Sequence, residues 1–190
     1  RSPKEGDLLA GRDPVQLARR MESAGAVCLS VVTEGSHFGG SLELLRAVAS
    51  AVSLPILRKD FVTGRGDVQA TREHGASCLL LIVASLPWPR LVDLHEEARR
   101  CGLETLVEVH DESELRQALT LELDLLGINN RDISRLETDD GTVANTIRLL
   151  GNVPAGVPTI SESSISDPQE VRAVLAAGGL GILVGTSILK

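Results

Sequence analysis

Two side chains that follow apolar runs are suited to acid–base chemistry. Lys59 follows the run Leu54-Pro55-Ile56-Leu57, and Glu108 follows Leu106-Val107. A lysine at the end of a buried strand can donate a proton to a carbonyl oxygen or, when desolvated, form an imine. A buried carboxylate can accept or relay a proton near neutral pH. The alternatives are a solvated surface lysine and a glutamate that pairs with a lysine of a neighbouring strand, and the second of these is compatible with catalysis.

Polar residues after three further apolar runs can bind hydroxyl groups and anions. Asn129-Asn130-Arg131-Asp132 has amide and guanidinium groups that orient a hydroxyl or a carboxylate, Arg131 by two parallel hydrogen bonds. The alternative is an ordinary turn, because Asn and Asp favour turns. Ser161-Glu162-Ser163-Ser164-Ile165 and Gly185-Thr186-Ser187 offer the hydroxyl and backbone N–H groups of a phosphate site. Such a site needs no basic patch, which agrees with the net charge of −7.

These residues lie on a repeating pattern of short apolar runs and longer amphipathic segments. Continuous apolar runs are typical of strands that are buried on both faces of a parallel sheet. From Val27 to Ile182 the runs repeat at a mean of roughly 26 residues, close to one βα unit of an eightfold barrel. The predicted strands are 27–32, 54–57, 78–83, 105–107, 123–128, 157–160 and 182–184.

The segments between the runs carry helix-start signals. Asp13-Pro14 places a capping side chain before a proline at the first helical position, and Gly25 ends that helix. Ser41 begins another helix, and the stretches 111–114 and 167–170 are typical of capping boxes. The predicted buried positions of the last two helices are Leu115, Leu119, Val171, Val174 and Leu175.

We predict an α/β fold, a (β/α)8 TIM barrel, rather than a doubly wound open sheet. Polar residues follow every predicted strand, and a barrel brings all these strand ends to one mouth, whereas an open sheet would scatter several of them. Seven strands are one fewer than eight, and the chain stops at Lys190 before a helix that could follow the last strand. We therefore expect residues 1–190 to be a single phosphate-binding barrel domain, truncated at both ends, that lacks the first strand and the last helix.

Composition excludes several classes of function. With 19 Lys and Arg against 26 Asp and Glu, and with two Phe, one Trp and no Tyr, the chain lacks the basic, aromatic surface that nucleic acid requires. Its longest apolar run, from Cys78 to Ala84, is about a third of the ~20 residues that a membrane span needs. The four His and three Cys share no metal-ligand spacing, and no Walker or dinucleotide motif is present, so we predict neither a metal nor a cofactor. Cysteines without a C-x-x-C motif predict reduced thiols and a cytoplasmic protein.

Several blocks of the sequence carry a family resemblance. They are Ser2 to Gly6, Leu29 to Glu34 with Phe38 to Ser41, Pro55 to Phe61, Leu106 to Val109, Gly127 to Asp132, Ile160 to Ser163 and Val184 to Ser187. In these blocks, which occur in the family's order over nearly the whole chain, the protein resembles the indole-3-glycerol phosphate synthases of tryptophan biosynthesis. The Lys-Asp-Phe and Gly-Ile-Asn-Asn-Arg-Asp blocks together are quite specific.

The resemblance implies a carboxy-lyase that converts 1-(2-carboxyphenylamino)-1-deoxyribulose 5-phosphate to indole-3-glycerol phosphate with loss of CO₂ and water. By this match Lys59 is the acid that polarises the ketone during ring closure, and Glu108 positions and relays its proton. Asn129, Arg131 and Glu162 bind the ribulose hydroxyls, the anthranilate carboxylate or their hydrogen-bond partners. The residues implied for the phosphate are Ser2, Ser163, Gly185 and Thr186, with Ser164 in the same loop, and those implied for the apolar pocket are Phe38, Phe61 and Leu80. The implied partners are the phosphorylated substrate and other tryptophan-pathway enzymes.

The chain departs from the family's pattern at two places. The family has a Glu and a second Lys a few residues before the Ser-Pro pair, and this chain begins at Arg1, immediately before that pair. The family also has Gly where this chain has Ser164, and a side chain there costs roughly 1 kcal/mol or more if the backbone needs a positive φ. The alternatives to the synthase are another phosphate-binding barrel, such as a sugar-phosphate isomerase, and a catalytically impaired paralogue that binds a phosphorylated ligand.

Overall fold

Strands and helices alternate along residues 6–131 and 141–189, the part of the chain that the computed structural model describes. The strands are β1 (Leu29–Val32), β2 (Ile56–Lys59), β3 (Cys78–Ile82), β4 (Glu104–Val109), β5 (Leu125–Asn129), β6 (Thr159–Glu162) and β7 (Gly181–Leu183). The helices are α1 (Pro14–Ser23), α2 (Leu42–Ala49), α3 (Arg65–Glu73), α4 (Trp88–Arg100), α5 (Glu112–Ala118), α6 (Ala144–Leu150), α7 (Pro168–Ala176) and α8 (Thr186–Leu189), and a short 3₁₀ helix spans Val83–Ser85.

The strands β2, β4 and β6 end two residues later than the apolar runs predicted, and β5 ends one residue later. The ladder continues past the apolar residues because backbone groups pair whatever the side chain: the Thr33 N–H, for example, donates to the Lys59 carbonyl at 3.0 Å. As a result four polar residues lie within the last two positions of their strands rather than after the strands: Lys59, Glu108, Asn129 and Glu162.

The chain divides into two compact units, of which the first contains Arg1–Leu81 and Pro89–Thr105. In this unit β1 pairs with β2, and β2 pairs with β3, both in parallel. An apolar cluster fills the space between the sheet and the helices α1 and α2, so these elements bury one another's apolar faces. Its buried members are Ala18, Leu29, Val31, Leu45, Val48, Ile56 and Ala76.

The second unit contains Ile82–Trp88 and Leu106–Lys190. Its strands β4, β5, β6 and β7 pair in chain order, and each pair is parallel. The register places Glu108 beside Gly127, and Asn129 beside Glu162. A cluster of Val143, Ile165 and Val174 packs under the loop that follows β6 and fixes α7 against β7.

Most of the predicted helix starts are confirmed. The Asp13 carboxylate accepts the Val15 N–H at 2.9 Å with Pro14 at the first helical position, and the Ser41 hydroxyl accepts the Leu44 N–H at 3.1 Å. The capping box predicted at Asp167 is present, because the Glu170 carboxylate accepts the Asp167 N–H at 3.0 Å. Side-chain caps therefore set the boundaries of α1, α2 and α7.

Two helix predictions are wrong in detail. At the start of α5 the Asp111 carboxylate caps the Glu114 N–H, but the Glu114 carboxylate accepts the His110 N–H at 2.7 Å instead of that of Asp111. The capping box does not form, because the Glu114 carboxylate binds the N–H of His110, the residue before the N-cap, instead of the N–H of Asp111 itself. Leu175, predicted to be buried, is 48% exposed, since the apolar stripe of α7 centres on Val174 and Leu175 lies about 100° further round the helix.

Parallel strands that pair in chain order and alternate with helices are the architecture of a (β/α)8 TIM barrel that lacks some elements, so the predicted fold class is confirmed. The prediction of a single domain over residues 1–190 stays a prediction. Among the described helices, none combines the length and the apolar composition that crossing a bilayer demands.

Candidate functional site

Lys59 is the last residue of β2 and is half-buried. Its neighbour Arg58 points toward α3, where its guanidinium donates to the Asp67 carbonyl at 2.8 Å and to the Thr71 hydroxyl at 3.0 Å. Because successive side chains of a strand point to opposite faces, Lys59 points to the face away from α3. This is the face on which catalytic side chains of a βα unit lie.

A buried polar network holds the backbone on both sides of Lys59. The Arg58 guanidinium pairs with the Asp60 carboxylate at 2.8 Å and donates to the Thr33 hydroxyl at 2.9 Å. The Thr33 hydroxyl in turn donates to Asp60, whose second oxygen accepts the Phe61 N–H at 2.8 Å. Buried charges of this kind are stable only when paired and hydrogen-bonded, so the network fixes the strand end that presents Lys59.

The loop after β1 is organised by Glu34. Its carboxylate accepts the backbone N–H groups of Ser36, His37 and Phe38 at 2.8 to 2.9 Å. Partial desolvation opposes ionisation, but these three hydrogen bonds outweigh it and lower the pKa of Glu34 to about 2. The loop is therefore held by an ionised side chain that places the half-buried ring of Phe38.

The other residues predicted to line an apolar pocket also belong to the first unit. Phe61 follows β2 and is half-buried, and Leu80 lies within β3 and is buried. Ser2, predicted to hold phosphate, lies outside the described residues. The three apolar assignments stay predictions.

In the second unit three predicted polar side chains share one face of the sheet. Glu108, Asn129 and Glu162 are all fully buried. Strand registers pair Asn129 with Glu162 and place Glu108 beside Gly127, two residues before Asn129 on the same face. Ser161 points the other way, toward the Thr146 hydroxyl of α6 at 2.7 Å. The sheet thus gathers two carboxyls and an amide on the face opposite its helices.

His110 lies between two carboxylates. Its Nε2 is 3.4 Å from Glu108 Oε1, and its Nδ1 is 3.0 Å from Glu114 Oε2. Burial alone would lower the pKa of this imidazole, but its interactions with Glu108 and Glu114 outweigh burial and raise the pKa to about 10. His110 is therefore a cation at neutral pH, and it contributes positive charge beside the buried Glu108.

Asn130 joins three segments at the carboxyl ends of the strands. Its amide nitrogen lies within 3.0 Å of the Ser161 hydroxyl and of the Glu162 and Ser163 carbonyls. Its amide oxygen accepts the Thr146 hydroxyl at 2.9 Å. Satisfied buried networks of this kind make a single conformation strongly preferred, so Asn130 shapes the loop after β6.

Arg131 and the loop after β6 meet directly. The Arg131 Nε–H donates to the Ser164 hydroxyl at 3.0 Å, and the Arg131 backbone N–H donates to the Asn129 side-chain oxygen at the same distance. Ser163 and Ser164 have φ of +64° and +55°, values that favour glycine. Because the backbone at Ser164 has a positive φ, a side chain at this position carries the conformational cost expected where the family has glycine.

The loop after β7 contacts the loop after β6. The Ser187 hydroxyl donates to the Ile165 carbonyl at 2.6 Å. Gly185 precedes the short helix α8, whose first residue is Thr186. Two of the segments predicted to bind phosphate are therefore brought together within the second unit, although binding itself stays a prediction.

Sequence reasoning missed His110, Arg58 and Gly127 as contributors to the site. It included Asn130 in a block that binds substrate groups, whereas the structure shows Asn130 holding the loop after β6. His110 carried a usable signal, because it lies two residues after Glu108, directly after β4, and four residues before Glu114. Gly127 carried another, since a glycine inside an apolar strand often marks a close approach. Apart from Asp60, which lies two residues after Arg58, the partners of Arg58 and Asn130 lie 9 to 33 residues away in the chain, so no local pattern marks these networks.

Replacing Gly127 with Ala should displace Glu162. A Cβ at Gly127 would lie 2.0 Å from Glu162 Oε1 and 3.1 Å from a Leu106 methyl group. We expect a loss of about 1–3 kcal/mol in the free energy of unfolding and a fall of about tenfold in kcat/KM. Gly66→Ala, where no atom lies within 4 Å of the new Cβ, is the matched control and should cost nothing. Equal behaviour of the two variants in urea denaturation and turnover assays would contradict the packing argument.

Replacing His110 with Gln should remove stability in a pH-dependent way. The folded protein binds this proton more tightly than the unfolded chain, in which the imidazole has a pKa of 6.5. The stabilisation is therefore complete below about pH 6.5 and is lost as the pH rises through about 10. Urea denaturation at about pH 6, 8 and 10 should show the difference between wild type and His110→Gln shrinking. Glu112→Gln, which removes the partner of Arg116 on the same helix, should show no such trend. A His110→Gln difference that is constant or grows with pH would refute the ion pairs.

Comparisons with known proteins agree with one another. The family model for indole-3-glycerol phosphate synthase matches residues 1–190. The chain is 42% identical over 189 residues to the indole-3-glycerol phosphate synthase of Pyrococcus furiosus, covering 100% of this chain and 82% of that protein. It is 44% identical over 191 residues to that of Thermococcus kodakarensis, with coverage of 100% and 82%. The corresponding protein of Hyphomonas neptunium is 40% identical over 190 residues, with coverage of 100% and 71%.

A solved structure shows the same fold at low identity. The N-acetylmannosamine-6-phosphate 2-epimerase from Clostridium perfringens superposes with a TM-score of 0.69 over 92% of this chain and 78% of that chain. The two sequences are 15% identical, so the likeness shows the fold alone.

Proposed function

Because the chain belongs to the indole-3-glycerol phosphate synthase family, we propose that Lys59 and Glu108 carry its acid–base chemistry and that the residues after β5, β6 and β7 hold its substrate. The reaction is the decarboxylating, dehydrating ring closure of 1-(2-carboxyphenylamino)-1-deoxyribulose 5-phosphate to indole-3-glycerol phosphate. The chain is thus a carboxy-lyase of tryptophan biosynthesis. The match of the family over all 190 residues is the observation that carries this function.

Lys59 is the acid for ring closure. The ring carbon that bears the carboxylate attacks the ketone carbon of the ribulose chain, a new carbon–carbon bond forms, and the ketone oxygen takes a proton from the Lys59 ammonium. The carboxylate then leaves as CO₂ and returns its electron pair to the ring. The new hydroxyl group takes up a proton and leaves as water, while the neighbouring carbon attached to the nitrogen loses a proton, so that the carbon–carbon double bond of the indole ring forms. The rigid strand end around Arg58, Asp60 and Thr33 supports this role, because a proton donor must hold its position to within a fraction of an ångström.

Glu108 relays protons for Lys59: it takes up the proton that the carbon loses during dehydration, which replaces the proton that Lys59 gave to the ketone oxygen. A fully buried carboxylate beside a protonated imidazole can accept a proton during dehydration. His110, linked also to Glu114, supports Glu108 in this role. Burial keeps the Glu108 carboxylate out of contact with bulk water.

Asn129, Arg131 and Glu162 bind the hydroxyl groups and the carboxylate of the substrate. Asn129 and Glu162 are buried on the same face as Glu108, which supports their use for hydroxyl recognition rather than for surface contacts. Arg131 offers a planar fork that fits a carboxylate by two hydrogen bonds. These contacts orient the reacting carbons.

Ser2, Ser163, Gly185 and Thr186 bind the phosphate of the substrate, with Ser164 in the same loop as Ser163, and Phe38, Phe61 and Leu80 contact its aromatic ring. The hydrogen bond from Ser187 to the Ile165 carbonyl supports the phosphate assignment, because it joins the loops that hold four of these residues. Binding energy from the phosphate is used to place the ketone near its acid.

A cytoplasmic location and association with other tryptophan-pathway enzymes are part of the same proposal. Cys28, Cys78 and Cys101 are free thiols, which supports a reducing compartment.

Turnover of the purified protein tests the function directly. Indole-3-glycerol phosphate is fluorescent and its substrate absorbs differently, so mixing the protein with 1-(2-carboxyphenylamino)-1-deoxyribulose 5-phosphate should give a rising product signal. Ribulose 5-phosphate alone, offered as an isomerase substrate, should remain unchanged. Absence of product with tight binding of the phosphorylated substrate would favour the impaired paralogue instead.

A further inference from the structure

The Arg131 guanidinium is anchored at its Nε and, among the residues that the structure describes, has no partner at its two terminal nitrogens. Its Nε–H donates to the Ser164 hydroxyl at 3.0 Å. Within residues 6–131 and 141–189, no hydrogen bond or ion pair occupies its two terminal nitrogens. Guanidinium groups bind carboxylates and phosphates best through two parallel N–H groups, and a fork fixed at Nε leaves a pair of donors for that purpose.

The Ser164 backbone is strained, and Ser163 before it is strained as well. Their φ values of +55° and +64° cost an L-residue about 1 kcal/mol or more each relative to glycine. The Asn130 amide enforces this conformation by contacting the carbonyls of Glu162 and Ser163. Glycine would adopt the same backbone at no cost. What the serine adds at this position is its hydroxyl group, and that hydroxyl contacts Arg131.

We propose that Ser164 is a positioning residue, whose hydroxyl holds the Arg131 guanidinium so that its two terminal nitrogens bind an oxyanion of the substrate. This inference rests on the proposed function, since it concerns the binding of that substrate. The strain at Ser164 is tolerated because the side chain that causes it also restricts the rotamers of a long, flexible side chain. A fixed guanidinium loses less entropy on binding than a free one.

The substrate has two oxyanions that fit the fork, a carboxylate and a phosphate. The product keeps the phosphate and has lost the carboxylate as CO₂. Comparing the affinity of the substrate with that of the product therefore identifies which oxyanion Arg131 binds.

Two substitutions of Ser164 separate the hydroxyl from the strain. Ser164→Ala removes the hydroxyl and keeps the strained backbone, whereas Ser164→Gly removes both. We expect each variant to lower kcat/KM about tenfold, mainly through KM, because each releases Arg131. Ser164→Gly should nevertheless unfold at a higher urea concentration than Ser164→Ala, since glycine relieves the strain. Ser166→Ala, which removes a neighbouring hydroxyl that contacts Glu170, should leave kcat/KM within about twofold of wild type.

Inhibition by the product gives the second readout. If Arg131 binds the carboxylate, Ser164→Ala lowers the affinity for the substrate and leaves the inhibition constant of indole-3-glycerol phosphate unchanged. If Arg131 binds the phosphate, the affinities for substrate and product fall by the same factor. Either result supports the positioning role, and unchanged affinity for both ligands overturns it.

A double-mutant cycle shows whether Ser164 acts through Arg131. In an Arg131→Ala background, Ser164→Ala should change kcat/KM by less than about twofold. A full tenfold effect in that background would overturn the proposal, because Ser164 would then act on the substrate by another route.

A measurement without turnover keeps the proposal testable if the protein proves inactive. In ¹H–¹⁵N spectra the Arg131 Nε–H should be protected from exchange in wild type and should exchange rapidly in Ser164→Ala and Ser164→Gly. Protection without turnover would contradict the proposed function alone. Rapid exchange in wild type would contradict the anchor itself, whatever the activity.

Discussion

Replacing Lys59 with Met should lower kcat by about a thousandfold. Methionine keeps most of the length and volume of the side chain but cannot donate a proton, so the ketone oxygen has no acid when the new carbon–carbon bond forms. Because Lys59 is half-buried and its strand end is fixed by Arg58 and Asp60, the substitution should leave the fold unchanged. Steady-state fluorescence of indole-3-glycerol phosphate measures the rate, and calorimetric titration should give a substrate Kd within about tenfold of wild type.

Lys59→Arg is the matched control for charge. Arginine keeps a cation at this position but holds its proton too tightly to act as an acid near neutral pH. It should retain substrate affinity and remain nearly as slow as Lys59→Met. Wild-type turnover in either variant would refute the assignment of Lys59 as the acid.

Replacing Glu108 with Gln should lower kcat by about a hundredfold. The amide is nearly isosteric with the carboxylate, so the variant removes a proton acceptor from a fully buried position without leaving a cavity. It also leaves the His110 cation with Glu114 as its remaining carboxylate among the described residues. Steady-state turnover measures the loss, and circular dichroism should show an unchanged fold.

Glu104→Gln is the control for Glu108→Gln. Glu104 lies on the same strand β4 and carries the same charge, but its side chain is exposed. Its kcat should stay within about twofold of wild type. If both variants lose the same activity, the effect comes from net charge or strand stability rather than from proton relay by Glu108.

The order and type of the elements could be predicted from the sequence, whereas the ends of the strands could not. Apolar runs identified each strand, and capping residues such as Asp13, Ser41 and Asp167 identified the helix starts. Strand ends are set by backbone pairing with a neighbour, which continues through polar residues. Lys59 and Glu162 therefore became the last residues of their strands instead of loop residues.

Part of the site could be predicted because its residues fall at fixed places in the repeat. Glu108, Asn129 and Glu162 each follow an apolar run, and strand alternation together with the pairing register puts them on one face. The Arg58 and Asn130 networks could not be predicted, because their partners come from other elements and no local pattern marks them. The spacing of the four histidines tests only for a metal site, whereas the role of His110 depends on the neighbouring carboxylates Glu108 and Glu114.

Ser164 shows how a departure from a family pattern can be interpreted. From the sequence alone a serine in place of glycine predicts only a backbone cost. The structure adds its positive φ and its contact with Arg131. The backbone strain and the hydrogen bond to Arg131 both belong to Ser164, and only the three-dimensional structure reveals the hydrogen bond.

Release of CO₂ by Lys59→Met tests the central claim most directly. Since the carbon that loses CO₂ is the one that attacks the ketone, decarboxylation must follow the ring closure that Lys59 promotes. With substrate labelled in its carboxylate, wild type should release one CO₂ for each indole-3-glycerol phosphate formed. Lys59→Met should bind the labelled substrate and release neither. Labelled CO₂ from Lys59→Met at the wild-type rate would contradict the account, because ring closure would then proceed without Lys59.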